Sequence, residues 1–455
     1  MRNWKTEQDS LRNWKISAGS SAPKIQWVFA KCFGEEEIFQ KLEKEITFIP
    51  SENRFRLFLK TMNIINLKKM NNKTGNTNLQ KPFMEIINST LHCKSISRII
   101  YFVSLYFALS GNAVGQVSGT THTLKYYDGQ EFTIIGKFHS EKNYVRFPQE
   151  YKNTLRKDVW DLGQNSAGIS IRFRTNASVI VVRWTVMEDN IMDHMAFTGI
   201  KGVDLYAYVD DHWKFVNTGR VKGKTNEFTM VKSGGEIFRE YLLNLPLYDG
   251  IDSLSFGVDN NAEISVPKEN YLITKKPVVY YGSSIAQGGC ASRPGMAFTN
   301  ILSRSMDRSF INMGFSGSGT FDLSVGEAMC EADAALYVID CNPNTQTELI
   351  YDRAVELVKL MKKKRPAVPV LLVEGFYYEN GFGKILDSDT EKKNIELRRA
   401  FKTLQESGIK QLYFKKGNGM IGYDHEGTVD GVHPNDLGMM RIAQSLKPAI
   451  QNIIK

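Results

Sequence analysis

The stretch Pro277–Gly288, PVVYYGSSIAQG, decides how this chain is read. Val278–Tyr281 is an apolar run that suits a buried strand. It stops at Gly282, two serines follow at once, and the segment beyond them can begin a helix. A strand that ends in a Gly-Ser turn before a helix presents a hydroxyl at the carboxyl edge of a sheet. That hydroxyl lies beside the unpaired N–H groups of the helix's first turn. In open α/β sheets this edge is where ligands and chemistry gather. Ser284 is therefore a candidate nucleophile and Ser283 the alternative, although a lone serine at such a turn more often serves only as a helix N-cap.

Downstream, strand-like and helical runs alternate. Strands are predicted at Val278–Tyr281, Ser309–Met313, Ala335–Ile339, Val368–Val373 and Gln411–Phe414. Helices are predicted near Ala297–Met306, Phe321–Glu331, Glu348–Lys364, Thr390–Ser407 and Asp436–Ile454. That alternation specifies a parallel sheet covered by helices on both faces. Four polar blocks fall at the predicted strand ends: Gly282-Ser283-Ser284, Asn312–Gly319 (NMGFSGSG), Asp340–Asn344 (DCNPN) and Asp430–Pro434 (DGVHP). Strand ends converge on one edge of a parallel sheet, so distant blocks can meet.

Their chemistry is complementary. A serine hydroxyl needs a base, and His433 has a suitable one. Asp430, three residues earlier, can fix the imidazole tautomer and stabilise the imidazolium. A tetrahedral intermediate needs oxyanion donors, which the Gly317 N–H, the Asn342 side-chain amide and the Ser284 N–H can supply. Each residue also has a plainer reading: a histidine at a helix cap, a glycine in a flexible loop, an asparagine turning the chain before Pro343. The Gly/Ser-rich loop lacks the Lys-Ser/Thr end of a phosphate-binding loop. Asp340 and Asn344 read as structural, and Lys362–Arg365 as the solvated end of a helix.

These blocks resemble those of the SGNH (GDSL-type) hydrolases. The family's serine, glycine, asparagine and Asp/His carry over to Ser284, Gly317, Asn342 and Asp430/His433. The resemblance implies a flavodoxin-like three-layer α/β/α domain with a five-stranded sheet over residues 271–455. Gly202-Val203-Asp204-Leu205-Tyr206 resembles the GxDLY domain that precedes one subgroup of these hydrolases. Gly282–Gly295 (GSSIAQGGCASRPG) is similar to that subgroup's first block. Two departures stand out. The usual Gly-Asp-Ser reads Gly-Ser-Ser, and the usual Gly-x-Asn-Asp reads Asp-Cys-Asn-Pro.

Upstream, residues 116–270 carry short strand-like runs, Ile169–Thr175, Ser178–Trp184, Val203–Val209 and Leu254–Val258, separated by Asn, Asp and Gly clusters. Only Glu236–Leu243 reads as a short helix. The pattern specifies an all-β sandwich, jelly-roll-like. His194 beside Asp193 is a polar cluster that either reaches the rim of the site or is structural. Trp160, Trp184 and Trp213 could stack on sugar rings but are more commonly core residues.

Ahead of this lies Ile99–Leu109, IIYFVSLYFAL, preceded by Lys94 and Arg98 and followed by Ala113-Val114-Gly115. A positive flank, a short apolar run and a small-x-small exit describe a signal peptide over 84–115. The run falls short of the ~20 residues that span a bilayer. Met84 then reads as the translation start, and 1–83 as a basic extension that is disordered or not translated. The protein is expected to be secreted or periplasmic, without stable membrane insertion once the signal is removed.

The net charge of +9 is local. Residues 1–116 carry 17 Lys and Arg against 9 Asp and Glu, whereas the other 339 residues carry 41 against 40. A near-neutral body argues against nucleic acid as partner. The five cysteines show no zinc-type spacing and read as buried thiols. The expectation is a serine esterase acting on short acyl groups, first of all acetyl on a carbohydrate or a smaller acylated substrate, with no metal or organic cofactor. A lysophospholipase or thioesterase, and an inactive carbohydrate-binding protein, are the alternatives.

Overall fold

The computed structural model describes residues 123–234, 237–267, 275–380 and 384–455. The basic extension, the segment read as a signal peptide, Cys32 and Cys93 lie outside them. Among the described residues no helix is long and apolar enough to cross a membrane.

The first part is built of antiparallel strands: β1 (Leu124–Asp128), β2 (Thr133–Ile135), β3 (Ser170–Thr175), β4 (Ile180–Val186), β5 (Asp204–Val209), β6 (His212–Thr218), β7 (Thr225–Val231), β8 (Arg239–Asn244), β9 (Ile251–Asp259) and β10 (Ile264–Ser265). They form two sheets, ordered β1-β9-β4-β7 and β10-β3-β8-β5-β6, with β2 pairing on β3. The facing sides share one core, to which β3, β5 and β8 give Phe173, Leu205 and Leu243, and β4 and β9 give Val182, Trp184 and Phe256. This is the expected sandwich.

One element differs. The helical reading of Glu236–Leu243 gives way to strand β8, which pairs with both β3 and β5. Tyr241 and Leu243 enter the sandwich core, while Leu242 packs on the other side with Ile135 and Tyr206. With both faces buried, the strand loses the alternation that would betray it.

The second part contains β11 (Val278–Gly282), β12 (Phe310–Gly314), β13 (Leu336–Asp340), β14 (Val370–Val373) and β15 (Leu412–Lys415). Its helices are α1 (Ser284–Gln287), α2 (Phe298–Met306), α3 (Leu323–Met329), α4 (Thr347–Lys364), α5 (Lys384–Glu406) and α6 (Asp436–Ile453). The strands are parallel in the order β12-β11-β13-β14-β15. Along β11 the side chains alternate. Val279 and Tyr281 pack with α3, α4 and α5, and Val278 and Tyr280 with α2 and α6. A strand buried on both faces explains why Pro277–Gly282 reads as an unbroken apolar run. The chain leaves β11 for β12 on one side and returns to β13 on the other. The carboxyl ends of β11 and β13 thus flank the topological switch point.

The residues before the parallel sheet help to build its core. Phe147, Leu155 and Val159 enter the core on one face, and Ala167, Met195, Leu247 and Tyr248 the core on the other. Described residues from 123 onward accordingly form one compact unit. The end of α4 is not simply solvated as expected: Lys362 Nζ donates to Val368 O at 2.6 Å and Arg365 Nε to Cys330 O at 2.6 Å. Basic side chains here satisfy carbonyls as well as facing water.

Candidate active site

Register brings the blocks to one height. Gly282, the last residue of β11, pairs with Gly314 of β12 and Asp340 of β13. Three of the four polar blocks therefore leave the sheet together.

The two serines take different roles. Ser283 is the N-cap of α1, and its Oγ accepts from the Ile285 N–H at 3.3 Å. Ser284 begins the helix, and its Oγ lies 3.0 Å from His433 Nε2. His433 Nδ1 lies 2.7 Å from Asp430 Oδ2. Burial pushes the Asp430 carboxyl up, but hydrogen bonds from the His433 ring and from the His433 and Val432 N–H groups outweigh it and hold it at about 2. An ionised carboxylate only accepts, so Nδ1 carries the proton and Nε2 of the neutral ring is left to accept from Ser284.

The loop that carries His433 is pinned at both ends. Thr428 and Pro434 form a β-bridge, and Gly431 O accepts from the Glu379 and Asn380 N–H groups. Asn435 caps α6 through Gly438 N–H at 3.0 Å.

Gly317 and Asn342 lie on the same edge without a direct hydrogen bond to Ser284, His433 or Asp430 among the described residues. Gly317 has a left-handed backbone (φ 67°), with open space where a side chain would stand. Its loop is tied to α1, because Gln287 Oε1 accepts from the Ser316 N–H at 3.0 Å. Gly314 allows the close approach, since a Cβ there would stand 2.1 Å from Gln287 N. Asn342 is buried, and its Nδ2 donates to Asn394 Oδ1 at 3.0 Å. That oxygen also accepts from Gly375 N–H at 3.0 Å, while Asn394 Nδ2 donates to Gly375 O at 2.9 Å. The Asn342 amide is thereby fixed with its nitrogen toward Asn394, which uses one of its two N–H bonds.

Asp340 accepts from the Tyr280 hydroxyl at 2.9 Å and Asn344 from the Gly319 N–H at 3.3 Å, both within the scaffold. Burial raises Asp340 to about 7, with the Tyr280 hydrogen bond opposing. Trp184 is in the sandwich core with its Nε1 on Lys201 O at 3.0 Å, and Trp160 and Trp213 are half-buried against core side chains. None serves as an exposed sugar platform.

The structure favours one of the two readings of His194 and adds two contacts that the sequence did not announce. His194 reaches the site: its ring lies 5.3 Å from that of His433, with Nδ1 2.9 Å from Asp193 Oδ1. Tyr248 donates its hydroxyl to Ser284 O at 3.1 Å. Asp204 of the GVDLY block is fully buried and accepts from Gly295 N–H at 3.0 Å, Arg293 Nη1 at 2.5 Å and Asn244 Nδ2 at 2.8 Å. It grips the loop after α1. The motif signalled Asp204; only the packing shows its partners. A groove of about 470 Å³, lined in part by Asn165, Glu188, Asn190 and Met192, includes Tyr248, whose hydroxyl bonds Ser284 O. Cys290, Cys330 and Cys341 are free and buried. Burial pushes the Cys290 thiol up to about 12, and nearby Asp430 adds to it.

Residues 275–451 match the GDSL-like Lipase/Acylhydrolase family. Residues 124–264 match the GxDLY family, the N-terminus of the SGNH-hydrolase type of esterase. Among solved structures, a protein described as a GDSL-like lipase from Bacteroides ovatus ATCC 8483 is 37% identical, with 73% of this chain and 98% of that one aligned at a TM-score of 0.70. Salicylyl-acyltransferase SsfX3, from a tetracycline biosynthetic pathway, shares the fold at 14% identity, with 72% and 97% of the two chains aligned and a TM-score of 0.61. No curated protein matches the chain.

Proposed function

Since the chain belongs to the GDSL-like lipase/acylhydrolase family and is a carboxylic ester hydrolase, we propose that it is an exported serine esterase that removes short acyl groups, acetyl above all, from carbohydrate. Residues 116–270 are its accessory β domain, 271–455 its catalytic domain and 84–115 its export signal. The observation that carries the mechanism is the unbroken chain Ser284 Oγ–His433 Nε2–His433 Nδ1–Asp430 Oδ2 at 3.0 and 2.7 Å.

Ser284 attacks the ester carbonyl as His433 Nε2 takes its proton. Asp430 keeps the imidazolium oriented and stabilised. The oxyanion is held by the N–H groups of Ser284 and Gly317 and by the Asn342 amide. Collapse returns the proton from His433 to the leaving alcohol and leaves an acyl ester on Ser284. Water, deprotonated by His433, then releases the acid. The approach of the β domain through His194, whose ring lies 5.3 Å from that of His433, supports a bulky acceptor.

The test is acetate release from p-nitrophenyl acetate and from acetylated xylan by the protein and its variants. Ser284→Ala should abolish turnover. Asn342→Ala should lower kcat by about 10²–10³, the usual worth of one oxyanion donor. A loss below about threefold in Asn342→Ala refutes that assignment, and a preference for long acyl chains refutes the substrate class.

A further inference from the structure

We propose that the mouth of the active site is also a binding site for a thiophilic divalent cation such as zinc, held by His194, Cys290 and His433, and that its occupation shuts off hydrolysis. One donor atom from each residue lies within 4.8 Å of the other two. Tetrahedral zinc, with bonds of about 2.0–2.3 Å, holds its ligands about 3.3–3.8 Å apart, so closure by roughly 1 Å completes the geometry. His194 belongs to the segment before β5, Cys290 to the turn after α1 and His433 to the loop before α6. No sequence spacing could have announced the set.

A second observation concerns the carboxylates behind the rings. Asp193 lies 2.9 Å from His194 Nδ1, and Asp430 lies 2.7 Å from His433 Nδ1. Each ring therefore has Nδ1 engaged by a carboxylate and Nε2 left to ligate, the arrangement that orients histidines at zinc centres. Two imidazoles and a thiolate suit zinc or cadmium and disfavour magnesium or calcium. On binding, the Cys290 S–H bond breaks, the sulfur keeps the electron pair for the metal, and the proton leaves to water. The fourth position remains for water.

The inhibitory half of the proposal rests on His433 being the general base. A metal on Nε2 occupies the lone pair that takes the Ser284 proton. The binding half does not depend on that reading.

The experiment uses the purified full chain stripped of metal with a chelator. Cobalt(II) is titrated and the near-ultraviolet thiolate-to-cobalt absorption followed, then zinc is added in competition. In parallel, p-nitrophenyl acetate turnover is measured with zinc and with magnesium, each protein being compared with itself in the absence of metal. The expected result is one equivalent of cobalt with a thiolate band, displaced by zinc. Zinc, not magnesium, should reduce turnover at least tenfold, and chelator should restore it. Cys290→Ser should lose the band, and both Cys290→Ser and His194→Ala should need at least tenfold more zinc for the same inhibition.

Absence of the band, or unchanged zinc sensitivity in both variants, overturns the proposal. Metal binding with undiminished turnover overturns the inhibitory half. The cobalt band is also read in Ser284→Ala. If the protein shows no esterase activity at all, the band still decides the metal site while the serine-esterase reading falls.

Discussion

Removing the Asp204 carboxylate tests whether the β domain holds the loop after α1 in place. Asp204 is fully buried, and its partners are Gly295 N–H, the Arg293 guanidinium and Asn244. Asp204→Ala leaves the guanidinium, whose side chain is 18% exposed, without its carboxylate. Breaking a buried ion pair by removing one partner costs about 3–5 kcal/mol. The orphaned Gly295 N–H belongs to the same loss, and the partial exposure of Arg293 points to the lower end, about 3 kcal/mol. That loss is a sizeable part of the roughly 5–15 kcal/mol by which domains are stable.

The loop it grips runs to the histidine. Ser292 N–H and Oγ donate to Asp436 at 2.9 and 2.6 Å, and Cys290 N–H donates to Pro434 O at 3.1 Å. Slack at Gly295 should therefore reach His433 and lower kcat by roughly tenfold, about 1.4 kcal/mol of barrier, with KM little changed. Urea unfolding gives the first quantity, and p-nitrophenyl acetate kinetics below the transition give the second. Arg293→Ala should cost much less in the Asp204→Ala background than alone, since the pair is already broken. A stability loss below about 1 kcal/mol refutes the energetic argument. A full stability loss with unchanged kcat refutes the transmission to His433.

Three further outcomes follow from the same contacts. Asp430→Asn should lower kcat by about 10³–10⁴ by removing the acceptor that fixes the His433 tautomer. Because the carboxyl is held at about 2, below its unfolded value of about 3.9, its contribution to stability is present above pH 4 and lost as pH falls through 2. With one-third exposure that contribution is about 1–2 kcal/mol, and acid unfolding of the variant between pH 5 and 2 should be correspondingly flatter. Asn394→Ala should destabilise by about 2–4 kcal/mol, since it orphans buried groups of Gly375 and Asn342; kcat should also fall about 10-fold or more, read by urea melts and ester kinetics. Asp340 behaves oppositely to Asp430. Its carboxyl is raised to about 7, so the native state favours the neutral acid and stability declines as pH rises from about 4 to 7. Asp340→Asn, which keeps an acceptor for Tyr280, should raise Tm more at pH 8 than at pH 5.

The parallel sheet was legible because each strand is a short β-branched or aromatic run bounded by a polar block. Val278–Gly282 and Phe310–Gly314 lie within a residue or so of where the pattern placed them. Strand-end placement then brought Ser284 and His433 together across 149 positions, which no local pattern could do alone. The reading failed at Arg239–Asn244, where burial on both faces erased the alternation. Asn394 was invisible for a different reason. An asparagine inside a long charged helix reads as a surface residue, and its work depends on Gly375, in the turn after β14.

His194 marks the limit more sharply. In sequence it is a histidine beside an aspartate in a loop, and the same pair could sit anywhere on the surface. Its place is set by the buried side chains around it. Met195 and Ile200 pack into the core shared with β11, and Thr198 Oγ1 donates to Ser292 O at 2.6 Å. Those contacts fasten the 192–200 segment to the loop that follows α1. The β domain therefore lends this site a side chain as well as a wall. A hydrolase domain separated from residues 124–264 would lose His194, Tyr248 and the Asp204 anchor together, and part of both hydrophobic cores with them.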